Sequence, residues 1–403
     1  MKHVSVLLNE SISSLNIKED GIYVDATLGY AGHSSAILKR LKKGKLYAFD
    51  QDEAARKCSE NYLKKIGDNF EIIPSNFVNL KKELQKRNVD KIDGILFDLG
   101  VSSPQLDDAS RGFSFHADAA LDMRMNQSQS LSAKDVVNTY SYEKLYNIIK
   151  NYGEERYAKQ IARQIEKQRK IKEIETTMEL AKIISDAVPE KYKRQTHPAR
   201  RTFQAIRIEV NKELDILPSS LNDAIDILNK DGVIAVITFH SLEDKICKNV
   251  FKNRSLVPLI AKDLPVIPEE LKPDIKMLKK IKPSKEEIEE NKRSRSATLR
   301  CAVKLRWLKM KTKKKKSKIE KSMMMLTVFT VLCVFVSVFF LKSHLSSVNI
   351  EVEKLKKKIT KQEKINESLT MKVNELVSLE NMQSVAMEEG LEYNNNNVVI
   401  IQK

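Results

Sequence analysis

Residues 323 to 341, MMMLTVFTVLCVFVSVFFL, form a run of nineteen residues without a charged side chain. At a helical rise of about 1.5 Å per residue, such a run matches the roughly 30 Å hydrocarbon core of a bilayer. Seven lysines lie between residues 311 and 321, whereas residues 342 to 356 hold three. The pattern predicts a single-pass inner-membrane helix with residues 1–322 in the cytoplasm and the C-terminus outside.

The segment after this run has the spacing of a coiled coil. Apolar residues recur at intervals of three and four, and the polar Gln362 and Asn366 interrupt the seam as register-setting positions do. The seam consists of Leu345, Val348, Val352, Leu355, Ile359, Leu369, Val373 and Leu376. We therefore expect a basic juxtamembrane segment at 310–322, a transmembrane helix at 323–341, a coiled coil at 342–382 and a C-terminal tail at 383–403.

Charge points to a polyanionic partner for the rest of the chain. Residues 311–403 hold 16 Lys and 10 Glu, or +6 of the total +17, so the first 310 residues carry +11. This excess favours RNA or DNA over a membrane surface alone, with a generally lysine-rich composition as the alternative. The four cysteines lie far apart, which argues against a zinc site or a disulfide framework and is typical of a reducing cytoplasm.

Strand and helix signals alternate over the first hundred residues. GIYVDATLG, KLYAFDQD, FEIIPSNF and KIDGILFDLG predict strands, with helical patterns between them, and DGVIAVITFHS at 231–241 predicts another strand. Such alternation indicates an α/β fold with a parallel sheet. Amphipathic helices dominate residues 106–205, which we interpret as a helical substrate-recognition subdomain inserted between core segments 1–105 and 206–309. Residues 256–292 are expected to form a mobile surface loop, and 296–308 an edge strand.

Two acidic residues follow predicted strands at positions suited to a nucleotide-like ligand. DATLGYAGHS, residues 25–34, is a glycine turn between a strand and a helix, and Asp50 ends the second strand, where a carboxylate can bind ribose hydroxyls. The turn fits a dinucleotide or S-adenosylmethionine, or serves packing alone. Since the pattern is not GxGxxG, S-adenosylmethionine is favoured. Asp98 then ends a buried strand and opens a loop of small and polar residues, DLGVSSPQLDD.

Eight stretches of residues 1–309 together resemble one family. They are HVSVLLNE, DATLGYAGHS, DGILFDLGVSSPQLDDASRGFSF, LDMRMN, YGEERYAKQIAR, HPARRTFQAIRIEVN, TFHSLEDK and SRSATLR. They closely resemble the bacterial 16S ribosomal RNA (cytosine-N4)-methyltransferases of the RsmH/MraW type. The resemblance implies a Rossmann-like, S-adenosylmethionine-dependent methyltransferase acting on a decoding-region cytidine of 16S rRNA within the small subunit. It implies cofactor contacts at Ala31, Gly32, His33, Asp50, Phe77, Asp98 and Gln105. Position 31 is usually Gly in the family, and Ala fits there if φ is not positive.

The chemistry suggests a catalytic loop. The cytosine exocyclic amine is a poor nucleophile, so an enzyme must align it with the methyl donor and accept hydrogen bonds from its N–H groups. We hypothesise that Asp98 and the backbone of residues 100–103 do this, with Ser102 and Ser103 in the loop and Pro104 holding it rigid. A general base is not required by this hypothesis, because the methylated nitrogen is acidic enough to lose its proton to solvent.

Arginines are the candidate RNA ligands, because guanidinium groups match phosphate geometry. The candidates are Arg200, Arg201, Arg207, Arg293, Arg295 and Arg300. The alternative is that Arg200 and Arg207 pair with Glu209 or Glu213. Phe113 and Phe115 suit either base stacking or burial. No metal is expected, since no third ligand accompanies His33 and His240.

The tail, from Met310, resembles septal division proteins of the FtsL/DivIC type more weakly. It would be a second protein fused to the enzyme, with a coiled-coil division partner; homodimerisation of the chain stays open. A membrane-anchored scaffold whose methyltransferase-like domain only binds is the second interpretation. A DNA amine methylase is disfavoured, because the Asp/Asn-Pro-Pro-aromatic motif is absent.

Overall fold

The computed structural model describes residues 5–194, 197–258, 267–268, 271–305, 318–376 and 378–390. Two compact units divide the chain, Met1–Lys309 and Met310–Lys403. The first contains a seven-stranded sheet in the order β3-β2-β1-β4-β5-β7-β6. Its strands are β1 Ile22–Asp25, β2 Lys45–Phe49, β3 Phe70–Ile73, β4 Ile92–Asp98, β5 Leu228–Thr238, β6 Ile275–Met277 and β7 Thr298–Lys304.

Helices connect these strands and follow them. Those around the sheet are α1 Leu8–Leu15, α2 Gly32–Leu38, α3 Glu53–Leu63, α4 Leu80–Gln85, α5 Ser103–Asp107, α12 Glu213–Ile227, α13 Ser241–Ser255 and α14 Lys285–Glu290. Those between α5 and α12 are α6 Ala133–Thr139, α7 Tyr142–Asn151, α8 Ala158–Arg169, α9 Thr177–Asp186, α10 Glu190–Lys193 and α11 Ala199–Asn211. Short 3-10 turns lie at Phe77–Asn79, Ala109–Arg111 and Lys292–Ser296.

The sheet is buried on both faces, as its strand sequences require. Strands β1 to β5 run parallel, and β7 is antiparallel to both β5 and β6. Successive side chains alternate between faces, so Val24 and Phe97 pack with α4, α12 and α13, while Tyr23 and Leu96 pack with α1 and α2. Strands covered on both sides read as apolar runs, which confirms the α/β fold that the alternation predicts.

A separate hydrophobic core joins the helices between α5 and α12. Buried side chains from α6, α7, α8, α9 and α11 meet in it. The sequence placed this helical segment at 106–205, but α11 continues to Asn211, because Ile206 and Val210 extend its apolar stripe into the same core. The helix therefore runs from the helical segment directly towards α12 and the sheet.

Two predictions near the end of the first unit are wrong. The residues 256–292 are not all loop, since β6 and α14 lie within them. Strand β6 forms the sheet edge, so β7, expected at the edge, is internal. The alternating pattern of β7 suggested one solvent-exposed face. Its polar residue Arg300 does not face solvent, because it pairs with Asp244 of α13.

The second unit is helical where it is described. Helix α15 spans Lys318–Leu376 and α16 spans Leu379–Glu388, with residue 377 between them outside the described residues. The coiled coil predicted over 342–382 therefore contains a helix boundary, where Ser378 caps α16.

A membrane span is not found among the residues that the structure describes, since none of their helices combines the necessary length and hydropathy. Most side chains of the predicted span, 323–341, lie outside the described residues, as do residues 310–317 of the basic segment and 391–403 of the tail.

Candidate active site

A cleft of about 420 Å³ opens where β1, β4 and β5 end. The strand order changes direction between β1 and β4. In open α/β sheets, ligands bind in the crevice outside the carboxyl ends of the strands at such a switch point. The cleft lining includes Asp50, Asp98 and the loops that follow β1 and β4. The acidic residues that the sequence selected therefore share one cavity.

The loops after β1 and β4 are tied together. Buried Asp25 accepts hydrogen bonds from the Ser34 hydroxyl at 2.6 Å and the Thr27 amide at 3.1 Å. The Thr27 hydroxyl in turn accepts from the Asp98 amide at 2.7 Å. The end of β1 thus fixes the backbone at which Asp98 leaves β4.

Asp50 is held by backbone donors at the end of β2. Its two carboxylate oxygens each accept one amide hydrogen bond at 2.8 Å, from Gly29 and from Asp52. Burial, reinforced by the nearby charges of Asp52 and Asp25, raises the pKa of Asp50 to about 6 against the opposing effect of these hydrogen bonds. A carboxylate oriented in this way retains lone pairs for the hydroxyl groups of a ribose.

Ala31 occupies a backbone conformation that favours glycine. Its φ is +62° and its side chain is fully buried. Alanine was expected to fit here only if φ is not positive, and this condition is not met. Left-handed backbone costs a non-glycine residue roughly 1–2 kcal/mol. At the next position, a Cβ on Gly32 would lie 1.7 Å from the Ser5 hydroxyl oxygen. The turn is therefore tight at both residues.

The Asp98 side chain is 27% exposed, and one of its two carboxylate oxygens is buried without a partner among the described residues. Its Oδ2 lies 3.5 Å from Nδ1 of His33, whose Nε2 lies 3.1 Å from the Val6 carbonyl. Its Oδ1 is buried and has no hydrogen-bond partner among the described residues. Burial, together with the charges of Asp25 and Glu243, raises the pKa of Asp98 well above its ordinary value. His33, which was expected to contact the cofactor, lines the cleft and lies beside Asp98.

A glycine with positive φ and a helix cap define the loop after Asp98. Gly100 has a φ of +99°, and Ser102 caps α5 through a reciprocal capping box with Gln105, with Ser103 and Pro104 opening the helix. Gln105 was expected to contact the cofactor. Its oxygen accepts from the Ser102 amide at 3.0 Å and its Nε2 donates to Asp52 at 2.9 Å. Its visible role is to anchor the loop at the cleft wall.

Asp52 and Arg111 are functional neighbours that the sequence analysis missed. They form an ion pair of 2.7 Å with side chains only 5% and 8% exposed. Arg111 also donates to the carbonyls of Arg124 and Met125. Asp52 was recognisable as the N-cap of α3, ahead of EAARKC. No local sequence pattern predicts its ion pair with Arg111, which lies 59 positions further along the chain.

A second polar cluster lies at the β5 side of the cleft. Glu213, His240 and Glu243 bring carboxylate and imidazole atoms within 4.8 Å of one another. His240 thus has two carboxylate neighbours that the sequence did not reveal, and His33 is not part of the cluster. However, both oxygens of Glu213 accept hydrogen bonds from Arg207, at 2.9 and 2.8 Å. The cluster is therefore an ion-pair network, and the expectation of no metal stays a prediction.

The six candidate RNA-binding arginines divide into two groups. Arg207 pairs with Glu213 and Arg300 pairs with Asp244, each through two hydrogen bonds, and their side chains are 15% and 11% exposed. This matches the ion-pair alternative for Arg207. The other four are exposed: Arg200, Arg201, Arg293 and Arg295. Of these, Arg201 donates to the Glu154 carbonyl and Arg293 pairs with Asp107. Arg200 and Arg293 line the cleft.

Aromatic rings complete the cleft. Phe77 packs edge-on against Phe97 at 5.6 Å and lines the same cleft as Asp50. Phe113 is buried, whereas Phe115 is half-buried and stacks on His197 at 4.3 Å. Of the two phenylalanines considered for base stacking, Phe115 is the accessible one.

The parallel sheet, the cleft at its switch point and the acidic strand ends define a Rossmann-like methyltransferase. The sequence pattern of the MraW methylase family matches residues 1–305, and the chain belongs to this family. Two curated relatives named ribosomal RNA small subunit methyltransferase H support this. The protein from Exiguobacterium sibiricum is 53% identical over 76% of this chain and 99% of its own length, and that from Finegoldia magna is 52% identical over 75% and 99%.

Solved structures give a weaker likeness. An rRNA methylase from Streptococcus thermophilus is 14% identical, with a TM-score of 0.35 over 75% of this chain and 99% of its own. A methyltransferase from Streptococcus mutans, solved in complex with SAH, is 14% identical, with a TM-score of 0.33 over 75% and 100%.

Proposed function

We propose that residues 1–309 transfer the methyl group of S-adenosylmethionine to the exocyclic N4 of a cytidine in the decoding region of 16S rRNA, within the small ribosomal subunit. The observation that carries this proposal is Oδ1 of Asp98, a buried acceptor in the cleft with no hydrogen-bond partner among the residues that the structure describes. A buried acceptor left unpaired costs about 1–3 kcal/mol. An amine N–H of the substrate removes that cost.

The residues present fit the cofactor. Asp50 would take the ribose hydroxyls, the turn at Ala31 and Gly32 would bring backbone close to the ligand, and Phe77 would contact the adenine. S-adenosylmethionine, when bound, supplies a methyl group on a positively charged sulfur. The chain's contribution is then to hold the target nitrogen in line with that group, for which the capped α5 loop provides a rigid wall.

Cofactor affinity should fall on acidification through Asp50. Because only the ionised carboxylate accepts both hydroxyls, affinity should decrease by about tenfold for each pH unit below the Asp50 pKa of about 6. Isothermal titration calorimetry with S-adenosylmethionine measures this between about pH 5 and pH 7, roughly one pH unit on either side of the Asp50 pKa. In Asp50→Asn the affinity should be low and independent of pH; an equal slope in that variant would contradict the assignment.

The strained position 31 should tolerate glycine but not a branched side chain. In Ala31→Val, a β-branched residue at φ +62° in a fully buried site should destabilise the turn and weaken cofactor binding by at least about tenfold. Ala31→Gly is the matched control: relief of roughly 1–2 kcal/mol of backbone strain offsets the loss of one buried methyl group. Calorimetric cofactor affinities of the two variants test this, and equal weakening in both would refute it.

For RNA, the exposed arginines remain the proposed phosphate ligands. Arg200 and Arg293 line the cleft itself, and Arg201 and Arg295 are exposed near them in sequence. Their guanidinium groups add to a unit that carries an excess of positive charge. Arg207 and Arg300 are proposed instead to hold the walls of the cleft, because their guanidinium groups are occupied by carboxylates.

The experiment is methyl transfer from radiolabelled S-adenosylmethionine to small ribosomal subunits isolated from a strain without this modification. Mass spectrometry of digested nucleosides should detect N4-methylcytidine, and fragment mapping should place it in the decoding region. Naked 16S rRNA, tRNA and duplex DNA serve as competing substrates. Label in DNA alone would favour a DNA amine methylase, and cofactor binding without transfer to any of them would favour the scaffold interpretation.

We further propose that the second unit is a septal division-type membrane segment with a coiled coil. The support is the unbroken 59-residue helix α15, on which apolar side chains at three- and four-residue spacing are 42–71% exposed. These are Val352, Leu355, Ile359, Leu369, Val373 and Leu376. Side chains this exposed leave the apolar seam of α15 in water, and a second helix would cover it. The membrane part rests on the apolar run 323–341 and its flanking lysines.

Carbonate extraction of cell membranes tests the span, because a peripheral protein is released and an integral one is retained. An immunoblot with antibodies against each unit shows whether the chain is intact. For the coiled coil, Ile359→Lys should abolish cross-linking between cysteines placed along α15, while Lys358→Glu on the same helix outside the seam should preserve it. Release by carbonate, or cross-linking indifferent to Ile359→Lys, would refute the respective part.

A further inference from the structure

Two residues that line the cleft have buried side-chain atoms without a hydrogen-bond partner in the described part of the chain. Among the described residues, the buried side-chain atoms without a hydrogen bond that also line the cleft belong to Asp98 and His240. They are Oδ1 of Asp98 and the ring nitrogens of His240. The free amine of cytosine carries two N–H donors, so one acceptor from Asp98 leaves the second hydrogen without a partner. His240 lines the same cleft.

The sheet places the two residues side by side. Asp98 is the last residue of β4 and pairs in register with Ile237 of β5, and the Leu99 amide donates to the Ile237 carbonyl at 3.0 Å. His240 follows Ile237 by three residues, just before α13. Because neighbouring strands lie about 4.8 Å apart, Asp98 and His240 leave adjacent parallel strands at the same end of the sheet.

Glu243 determines which ring nitrogen of His240 is available. Its Oε1 lies 3.1 Å from His240 Nε2, near enough to pair although not aligned for a strong hydrogen bond. Its Oε2 accepts the Phe239 amide at 2.8 Å, and its side chain is 2% exposed. Burial opposes its ionisation, but His240, Arg207 and the Phe239 amide hold the pKa of Glu243 below its ordinary value. An ionised Glu243 keeps hydrogen on Nε2, which leaves the lone pair on Nδ1. The Glu243 backbone amide faces the His240 side chain in the capping box of α13 but does not form a well-aligned hydrogen bond with it.

We propose that His240 Nδ1 is the second acceptor for the target amine and the base that removes its surplus proton, with Glu243 as the positioning residue. This rests on the proposed N4-methylation. The lone pair of N4 forms the bond to the methyl carbon while the carbon–sulfur bond breaks and its electron pair stays on sulfur. The nitrogen then carries a positive charge and one proton too many. That proton passes to Nδ1, the N–H electron pair returns to nitrogen, and the imidazolium is stabilised by Glu243 until it releases the proton to solvent.

The test compares His240→Asn with the wild-type chain in single-turnover methyl transfer to small subunits, at saturating cofactor and across pH. Asparagine retains a polar atom near the Nδ1 position but cannot take up the proton. The rate should fall by about a hundredfold, and the acidic limb of the wild-type pH–rate profile, where the base is protonated, should disappear. Calorimetric cofactor affinity and filter-binding affinity for subunits should stay unchanged. His240→Gln and the thermal unfolding midpoint of each variant guard against misfolding.

His116→Asn is the matched control, because it makes the same chemical change at an exposed histidine that does not line the cleft. Its rate and pH profile should be those of the wild type. A wild-type rate in His240→Asn, or a slower rate with the acidic limb intact, would overturn the role of His240 alone. Absence of transfer to cytidine N4 by the wild-type chain, with cofactor bound, would overturn the proposed function and this inference together.

Discussion

Replacing Asp98 with asparagine should lower the single-turnover rate of methyl transfer by roughly 100- to 1,000-fold, the range found when one preorganised polar group is removed from a reaction centre. The Oδ1 atom of Asp98 has no partner among the described residues, so it is free to accept from the substrate. Asparagine presents either an amide N–H, a donor that opposes the amine, or a neutral amide oxygen. That oxygen accepts a hydrogen bond but cannot carry the negative charge that would stabilise the nitrogen as it becomes positive. The measurement uses small subunits at saturating cofactor, with saturation verified by calorimetry.

The same substitution should raise the stability of the fold. Burial and neighbouring acids raise the pKa of Asp98, so between its unfolded and folded pKa values the native state binds more protons than the unfolded state. The free energy of unfolding then decreases as pH rises through this window and stays reduced above it. Asparagine removes the penalty. Asp98→Asn should therefore unfold at a higher temperature than the wild type at neutral pH, with a smaller difference at acidic pH.

Asp25→Asn is the control for a generic effect of losing a buried carboxylate. Asp25 ends the neighbouring strand, but its oxygens are already bonded to Ser34 and Thr27. Its substitution should slow methyl transfer far less than Asp98→Asn. Equal rates in wild type and Asp98→Asn, or equal loss in both variants, would remove Asp98 from the reaction centre.

The sheet and the acidic strand ends are predictable from sequence because both depend on local pattern. Apolar runs ending in Asp25, Asp50 and Asp98 place carboxylates at one edge of a parallel sheet without knowledge of any tertiary contact. The edge strand β6 has three residues, too few for a periodic signal, and it lies among Pro, Lys and Glu. It forms because β7 offers an unpaired edge.

The missing parts of the site depend on contacts between distant segments. Asp52 and Arg111, like Asp98 and His240, come together only when the chain is folded, and one sequence contains no signal for the pairing. The positive φ of Ala31 could not be predicted either, because alanine, unlike glycine, rarely adopts this conformation. Arg207 and Arg300 were candidate phosphate ligands by residue type, with pairing to a glutamate as the alternative for Arg207. In the fold both guanidinium groups pair with carboxylates.

Replacing Asp52 with alanine should destabilise the first unit by about 3–5 kcal/mol, the cost of leaving one member of a buried ion pair without its partner. Asp52 caps α3 through the Ala54 amide, accepts from Gln105 and pairs with Arg111. These donors hold its pKa below the ordinary value despite burial. Its contribution is therefore complete at neutral pH and is lost as pH falls below about 4. Urea unfolding at neutral pH measures the loss.

The double variant Asp52→Ala, Arg111→Met separates the pair from the cap. With the guanidinium replaced by an apolar side chain of similar length, no charge remains buried, so most of the loss should be recovered, leaving about 1 kcal/mol for the missing cap of α3. Methyl transfer should not recover with stability, because Gln105 has still lost the oxygen that anchors the α5 loop beside Asp98. A double variant as unstable as Asp52→Ala would show that the ion pair is not the principal interaction, and that the cap of α3 or the hydrogen bonds from Arg111 to the Arg124 and Met125 carbonyls account for the loss. Full recovery of rate would show that the anchor of Gln105 is dispensable.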